Sequence, residues 1–263
     1  RGTLDGLPEG MGVMYVTDVQ YAGAQAASFN GGDFMAIAGT EWNRDDAGNI
    51  ILDKNGMPTY TSALSAVGNR ESTFTGGLNN TLTWKGLTFN MLWEFRVGGD
   101  VLNGTQYSMD NSGVSQFSAD VRNKPLTVTG VDADGNAVSN TWEANKTYMF
   151  NGVETSGYNI IQNYYQNYYA KETRNYITKV NSLRLRSVSL SYDLPKTWLQ
   201  KVGFVKRASV SVAATNLLLF TNYKGDPEVA AAGAGVGGSS SFGFDYCGVP
   251  ATSSMSFGLN LTF

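Results

Sequence analysis

Histidine is absent from the 263 residues, and cysteine occurs once, as Cys247. The first absence removes Ser-His and Cys-His catalysis, histidine-ligated zinc and a histidine pH switch together. The second leaves no internal disulfide and no thiolate cluster for a metal, and Cys247 reads as an incidental thiol in a Gly-rich stretch. Long apolar runs are also missing. No stretch approaches about eighteen consecutive apolar residues, which excludes a membrane-spanning helix. The net charge of −3 gives no reason to expect nucleic acid or an anionic membrane surface as a partner. No paired-acid constellation can be placed, so no catalytic residue is assigned, although carboxylates alone suffice in glycosidases.

What the chain does have is alternation, 31 glycines and 12% aromatic residues. Its last ten residues read "SMSFGLNLTF". Met255, Phe257, Leu259, Leu261 and Phe263 share one face of a strand, and Ser256, Gly258, Asn260 and Thr262 share the other. Such a strand fits a sandwich core or the lipid face of a barrel, and one strand does not separate the two. Upstream, "STFTGGLNNTLTWKGLTFNMLWEFRV" predicts a hairpin, with strands near 73–84 and 87–97 joined by a tight Lys85-Gly86 turn. Leu87, Phe89, Met91, Trp93, Phe95 and Val97 alternate with a largely polar face. Asn80 interrupts the apolar face of the first strand, which a bulge near Gly76 and Gly77, or local burial against a neighbour, would explain. "NSLRLRSVSLSYDLP" predicts a strand near 182–194 whose apolar phase shifts by one residue near Arg186-Ser187, as at a bulge. "PKTWLQKVG" reads as one helical turn, and "KRASVSVAATNLLLF" as a strand near 206–220; the closing strand lies near 251–263.

Two connections are short, at Lys85-Gly86 and 195–203, and two are long, near 98–181 and 221–250. Short and long connections alternate, as they do in outer-membrane barrels with short periplasmic turns and long extracellular loops. About ten residues per strand, tilted by about 40°, cover the roughly 25 Å of an apolar band. The expected fold class is therefore all-β, as strands and extracellular loops of a large antiparallel transmembrane β-barrel. Five strands cannot close such a barrel, since about eight are needed, and open edges in lipid cost several kcal/mol per unpaired group. The chain opens "RGTLDGLPEGMG", with neither initiator methionine nor a signal peptide's apolar run. It is expected to be the tail of a longer polypeptide that supplies the other strands.

Four segments then carry a family resemblance in consistent order. "FTGGLNNTLTWKGLTFNMLWEFRVGGDVLNGT", "NSLRLRSVSLSYDLPKTWLQKVG", "ATNLLLFTNYKGDPEV" and "FGLNLTF" together resemble the C-terminal third of SusC/RagA-type TonB-dependent transporters of Bacteroidetes, over roughly 70–105 and 176–263. The resemblance implies a single-chain barrel in the outer membrane of a Gram-negative bacterium, plugged by an N-terminal domain that is not in this chain. It implies import of oligosaccharides or peptides, a SusD-like surface lipoprotein as lid, and energy drawn through TonB. It also implies that Phe257, Leu259, Leu261 and Phe263 form the C-terminal signal read by the barrel-assembly machinery. No cofactor is implied. Another large barrel, such as a secretion or assembly pore, and a soluble carbohydrate-binding β-sandwich are the alternatives.

The remaining candidates lie in the connections. "RDDAGNIILDKNGMP" and "DADGNAV" lack the ligand spacing of a calcium loop and read as hairpin turns with Gly at positive φ; no metal is assigned. Tyr164, Tyr165, Tyr168 and Tyr169 are spaced for a helix or an aromatic loop that touches substrate or partner. Tyr223, Asp226 and Glu228 open a Gly/Ala/Ser-rich stretch and are candidate loop contacts of the same kind. Glu94, Arg96, Arg184, Arg186 and Asp193 fall on polar faces and are expected to face the barrel lumen, pairing with one another or with the plug.

Overall fold

Apolar alternation becomes five long strands in the computed structural model, which describes residues 3–6, 11–15, 20–200, 203–229 and 242–263. The chain divides into two compact units. One holds Arg1–Glu71, Asp100–Thr178 and Ala230–Gly248, and the other holds Ser72–Gly99, Lys179–Val229 and Val249–Phe263. They are called here the loop unit and the strand unit.

The strand unit is built from β1 (Phe74–Trp84), β2 (Leu87–Asn103, from Asp100 in the loop unit), β3 (Ile177–Asp193, from Lys179 in the strand unit), β4 (Arg207–Thr221) and β5 (Ser254–Thr262). Each hydrogen-bonds its neighbour in chain order. Lys85 and Gly86 close the first hairpin with φ of 47° and 85°, the two positive values a type I′ turn requires. The registers bring the apolar faces into rows: Leu78 stands opposite Trp93 and Leu82 opposite Phe89, and Leu190, Val212 and Phe257 align across three strands. These rows are not buried in a core. Trp84 is 69% exposed and Phe257 81%, with Phe74, Leu78, Leu82, Leu259 and Leu261 also exposed. A face of large exposed apolar side chains on a sheet marks a surface that lipid or further protein covers.

Several strand expectations need correction. No bulge occurs at Gly76 and Gly77, because β1 and β2 pair without a break from Phe74↔Val97 to Trp84↔Leu87. Gly76 is there for space instead: a Cβ on it would lie 2.5 Å from Cζ of Phe95. The expected shift in β3 does appear, between Leu185 and Ser187. The extra residue sits on β4, where Asn216 and Leu217 together oppose Arg186 and Asn216 takes a φ of 51°. Residues 98–103 and 177–181 belong to strands and not to a loop. Gly98 and Gly99 break the alternation with positive φ, but Val101 and Leu102 beyond them are fully buried. β5 spans only Ser254–Thr262, so 251–253 lie outside it.

Most of the connection near 98–181 is likewise folded. It contains helices α1 (Gly104–Ser112), α2 (Gln116–Val121) and α3 (Gly157–Asn167), with hairpins Leu126–Val131/Ala137–Trp142 and Thr147–Phe150/Val153–Ser156. A four-stranded antiparallel sheet of Val13–Tyr15, Gln25–Phe29, Ala36–Gly39 and Ser65–Asn69 completes the loop unit. One core gathers Tyr21, Ile37, Val67, Leu102, Tyr176 and Phe244; a second gathers Leu52, Met57, Leu126, Trp142, Ile160 and Tyr164.

The Asp/Gly-rich stretches are turns of one design. Asp45 accepts backbone N–H bonds from Ala47 and Asn49, Asp53 from Asn55 and Met57, and Asp132 from Asp134 and Asn136. The glycine before the last acceptor-bonded residue, Gly48, Gly56 or Gly135, has positive φ each time.

Candidate functional site

Polar-face residues of the strand unit meet the turn that follows β4. Arg184 on β3 forms an ion pair with Asp226 in which 3% of the first side chain and 6% of the second is exposed, and its Nε lies 3.5 Å from Glu228. Arg186, two residues on, pairs with Glu94 on β2 and donates to Glu228 at 2.6 Å. Two cations and three anions thus form one ladder across β2, β3 and the turn. Two-residue spacing on β3 puts both guanidinium groups on the same face, and an arginine fork serves two carboxylates at once.

Asp226 is fixed from several sides. Besides Arg184, it accepts the backbone N–H groups of Glu228 and Ala251 at 3.1 and 3.2 Å. Asn222 extends the pairing of β3 with β4 through its side chain, donating to the Lys179 carbonyl and accepting from the Asn181 N–H. The segment 222–229 is therefore strapped to the sheet. Tyr223 is buried and Asp226 is taken up by Arg184, so neither stands free to touch a ligand; Glu228 is half-buried between the two arginines. The rest of that connection, 230–241, lies outside the described residues.

Of the five residues expected in the lumen, Glu94, Arg184 and Arg186 come together. Arg96 is buried and turns its Nε to the Gly98 carbonyl. Asp193 lies exposed at the far end of β3, where its N–H bonds the Gly86 carbonyl.

In the loop unit the tyrosine run forms α3 and the turn after it. Tyr164 points into the second core with Ile160 and Ile161 and is not available to a ligand. Tyr168 is half-buried, and its carbonyl accepts from the Trp42 indole at 2.8 Å. Tyr165 and Tyr169 line a pocket of about 240 Å³ together with Phe117 and Tyr176. Burial pushes the phenols of Tyr165, Tyr169 and Tyr176 above the ordinary range, so they stay neutral at physiological pH. Phe117, Asp110 and Arg122 in that pocket were not singled out from sequence; α1 and α2 carry no strong apolar stripe to reveal them.

At the chain's end Phe257, Leu259, Leu261 and Phe263 are all exposed. The Phe263 ring stacks on Phe204 at 5.9 Å and 9°, and Lys206 Nζ donates to a Phe263 main-chain oxygen at 3.0 Å. Phe204 and Lys206 are further residues at this end that the alternation did not identify.

No family model matches the chain. It is 27% identical over 240 residues to TonB-dependent receptor P3 of Formosa agariphila, covering 89% of this chain and 21% of that protein. It is 26% identical over 217 residues to TonB-dependent receptor P39 of the same organism, covering 81% and 18%. Among solved structures it superposes on the RagAB peptide importer in its open-open state with a TM-score of 0.57, and in its closed-closed state with 0.55. These matches have 17% and 18% identity and cover 98% of this chain and 25% of that one. The chain spans about a fifth of the length of the relatives it matches.

An antiparallel sheet that exposes large apolar side chains, together with this likeness, shows the fold class: strands and connections of a β-barrel like that of the RagAB importer. In sequence the chain is similar to these TonB-dependent receptors, and in fold to a quarter of the RagAB importer chain it superposes on.

Proposed function

We propose that the protein containing this segment imports oligosaccharides or peptides across the outer membrane, using energy delivered through TonB and a SusD-like surface lipoprotein as its lid. The segment supplies the C-terminal strands of the barrel and part of its extracellular face, and the plug lies elsewhere in the polypeptide. One observation carries the reading: the strand unit exposes its large apolar side chains and concentrates Glu94, Arg184, Arg186, Asp226 and Glu228 in a charged ladder. Lipid outside and a polar lumen inside ask for that division. The named relatives and the RagAB importer support the transport class.

The test is uptake by cells expressing the full-length protein with its neighbouring lipoprotein. Radiolabelled oligosaccharides and peptides should enter saturably, and entry should stop when TonB is deleted. Entry that persists without TonB would overturn the reading in favour of a passive pore.

A further inference from the structure

We infer that the loop unit holds a binding site for a single carboxylate group, built around Lys171. The inference rests on the import reading and adds a charge to what the transporter would receive there.

The site is a second pocket of about 240 Å³, set between α1, the turn after α3 and the residues that follow the strand Ala36–Gly39. Sites that engulf a drug-sized molecule measure roughly 300–1,000 Å³, so this one suits the acidic end of a solute and not the whole of it. Its frame is held by the chain itself. Thr40 Oγ1 donates to the Lys171 carbonyl at 2.7 Å, and the Lys171 N–H donates to the Tyr168 carbonyl at 3.0 Å. Tyr107 meets Tyr176 edge-on at 5.3 Å, which seats its ring against the first core.

The polar groups of the lining are unused. Lys171 is its one charged side chain. The ammonium lies 5.5 Å from the centre of the Tyr60 ring, and the half-buried side chain makes no ion pair among the described residues. The carboxylates adjoining it in sequence are already taken. Glu41 is held by Arg174 and Ser65, and Glu172 by the Trp42 N–H at 2.8 Å and by Arg44 at 3.8 Å. The hydroxyls of Tyr60, Ser62 and Tyr107 and the amide of Gln20 also line the pocket, and none of them has a hydrogen-bond partner among the described residues.

That set of groups selects an anion of one charge. A half-buried cation without a counter-ion favours a negative ligand over a neutral one. One ammonium balances a carboxylate and falls short of a phosphate ester, which carries about −1.5 to −2 at pH 7. A carboxylate accepts at both oxygens, so the ammonium and the neighbouring hydroxyls serve it together. Peptides and acidic sugars both bring this group.

The test measures binding of acidic di- to hexapeptides and of uronic-acid oligosaccharides to the purified full-length protein. Each is set beside the same molecule with its carboxyl groups converted to amides, and an amidated peptide with one phosphoserine is added. The variants are Lys171→Gln and Lys171→Arg. The acids should bind about tenfold more tightly than their amides. Lys171→Gln should erase that ratio, and Lys171→Arg, which keeps the charge, should preserve most of it. The readout is a ratio on one sample, so a loss of folded protein does not imitate the result. A preference for acids in one arm alone supports the site and tells whether peptide or sugar brings the carboxylate. Equal binding of acid and amide, a ratio unchanged in Lys171→Gln, preference for the phosphoserine peptide, or retention of nothing would overturn it. TonB-dependent uptake is measured in cells expressing the same variants. If solutes enter by way of TonB while the acid preference is absent, the site falls and the import reading stands; if the preference holds and nothing enters by way of TonB, the import reading falls.

Discussion

Arg184 reaches from the middle of β3 to Asp226 in the turn beyond β4, forty-two residues on, and both side chains are almost wholly buried. Removing one partner of such a pair strands a buried charge, which costs about 3–5 kcal/mol, whereas removing both at once costs less. Arg184→Met and Asp226→Leu should each destabilise the full-length barrel by that amount in a denaturant titration in lipid, and the double variant should recover part of the loss. Additive single effects would show that the two side chains are not coupled.

Gly130 marks a second close approach. A Cβ there would stand 2.2 Å from the Ile50 carbonyl oxygen, where the Val131 N–H donates to Ile50 and the Leu52 N–H donates to Val131, both at 2.8 Å. Gly130→Ala must push the 50–52 segment off the hairpin, a change expected to cost about 1–3 kcal/mol. Hydrogen exchange of the Leu52 and Val131 amides, followed by mass spectrometry on the full-length protein, should accelerate. Protection equal to that of the parent would contradict the packing described here.

Burial pushes the phenols of Tyr164, Tyr169 and Tyr176 above their ordinary range. An unfolded tyrosine ionises near pH 10, and in the folded cluster the proton is held to higher pH. The contribution to stability is therefore complete below about pH 10 and falls as pH rises past it. Tyrosinate absorbance should appear together with loss of near-ultraviolet circular dichroism from the loop unit. Ionisation of these rings near pH 10 with no structural change would show that they are open to water.

Strand and loop unit differed in how much their sequences revealed. β2 and β5 were legible because each carries apolar residues on one face and polar residues on the other, and a period of two records that difference residue by residue. The loop unit was not, because Ile37, Leu102, Tyr176 and Phe244 reach one core from four distant segments, none of which forms a periodic run. The bulge near Gly76 is absent and Asn80 is half-buried. A glycine under an aromatic ring and a glycine at a kink look alike in sequence, so the two explanations stayed open there. Alternation placed Glu94, Arg184 and Arg186 on polar faces. It held no information that Asp226 and Glu228, from an irregular turn, would close on the two arginines.

Neighbouring positions on β5 separate lipid from lumen most directly. Leu259 stands opposite Val210, and Asn260 stands opposite Ser209, so the first belongs to an apolar row and the second to a polar one. An arginine on the lipid face costs about 2–4 kcal/mol near the bilayer midplane, while the polar face already meets water. Leu259→Arg should therefore lower folding stability by that amount in a lipid-vesicle titration of the full-length protein, with Asn260→Arg much milder. Because the two residues are adjacent on one strand, differences in strand propensity or in distance from the chain end do not explain a gap between them. Equal losses would mean that β5 has the same medium on both sides, and the barrel assignment would fall with it.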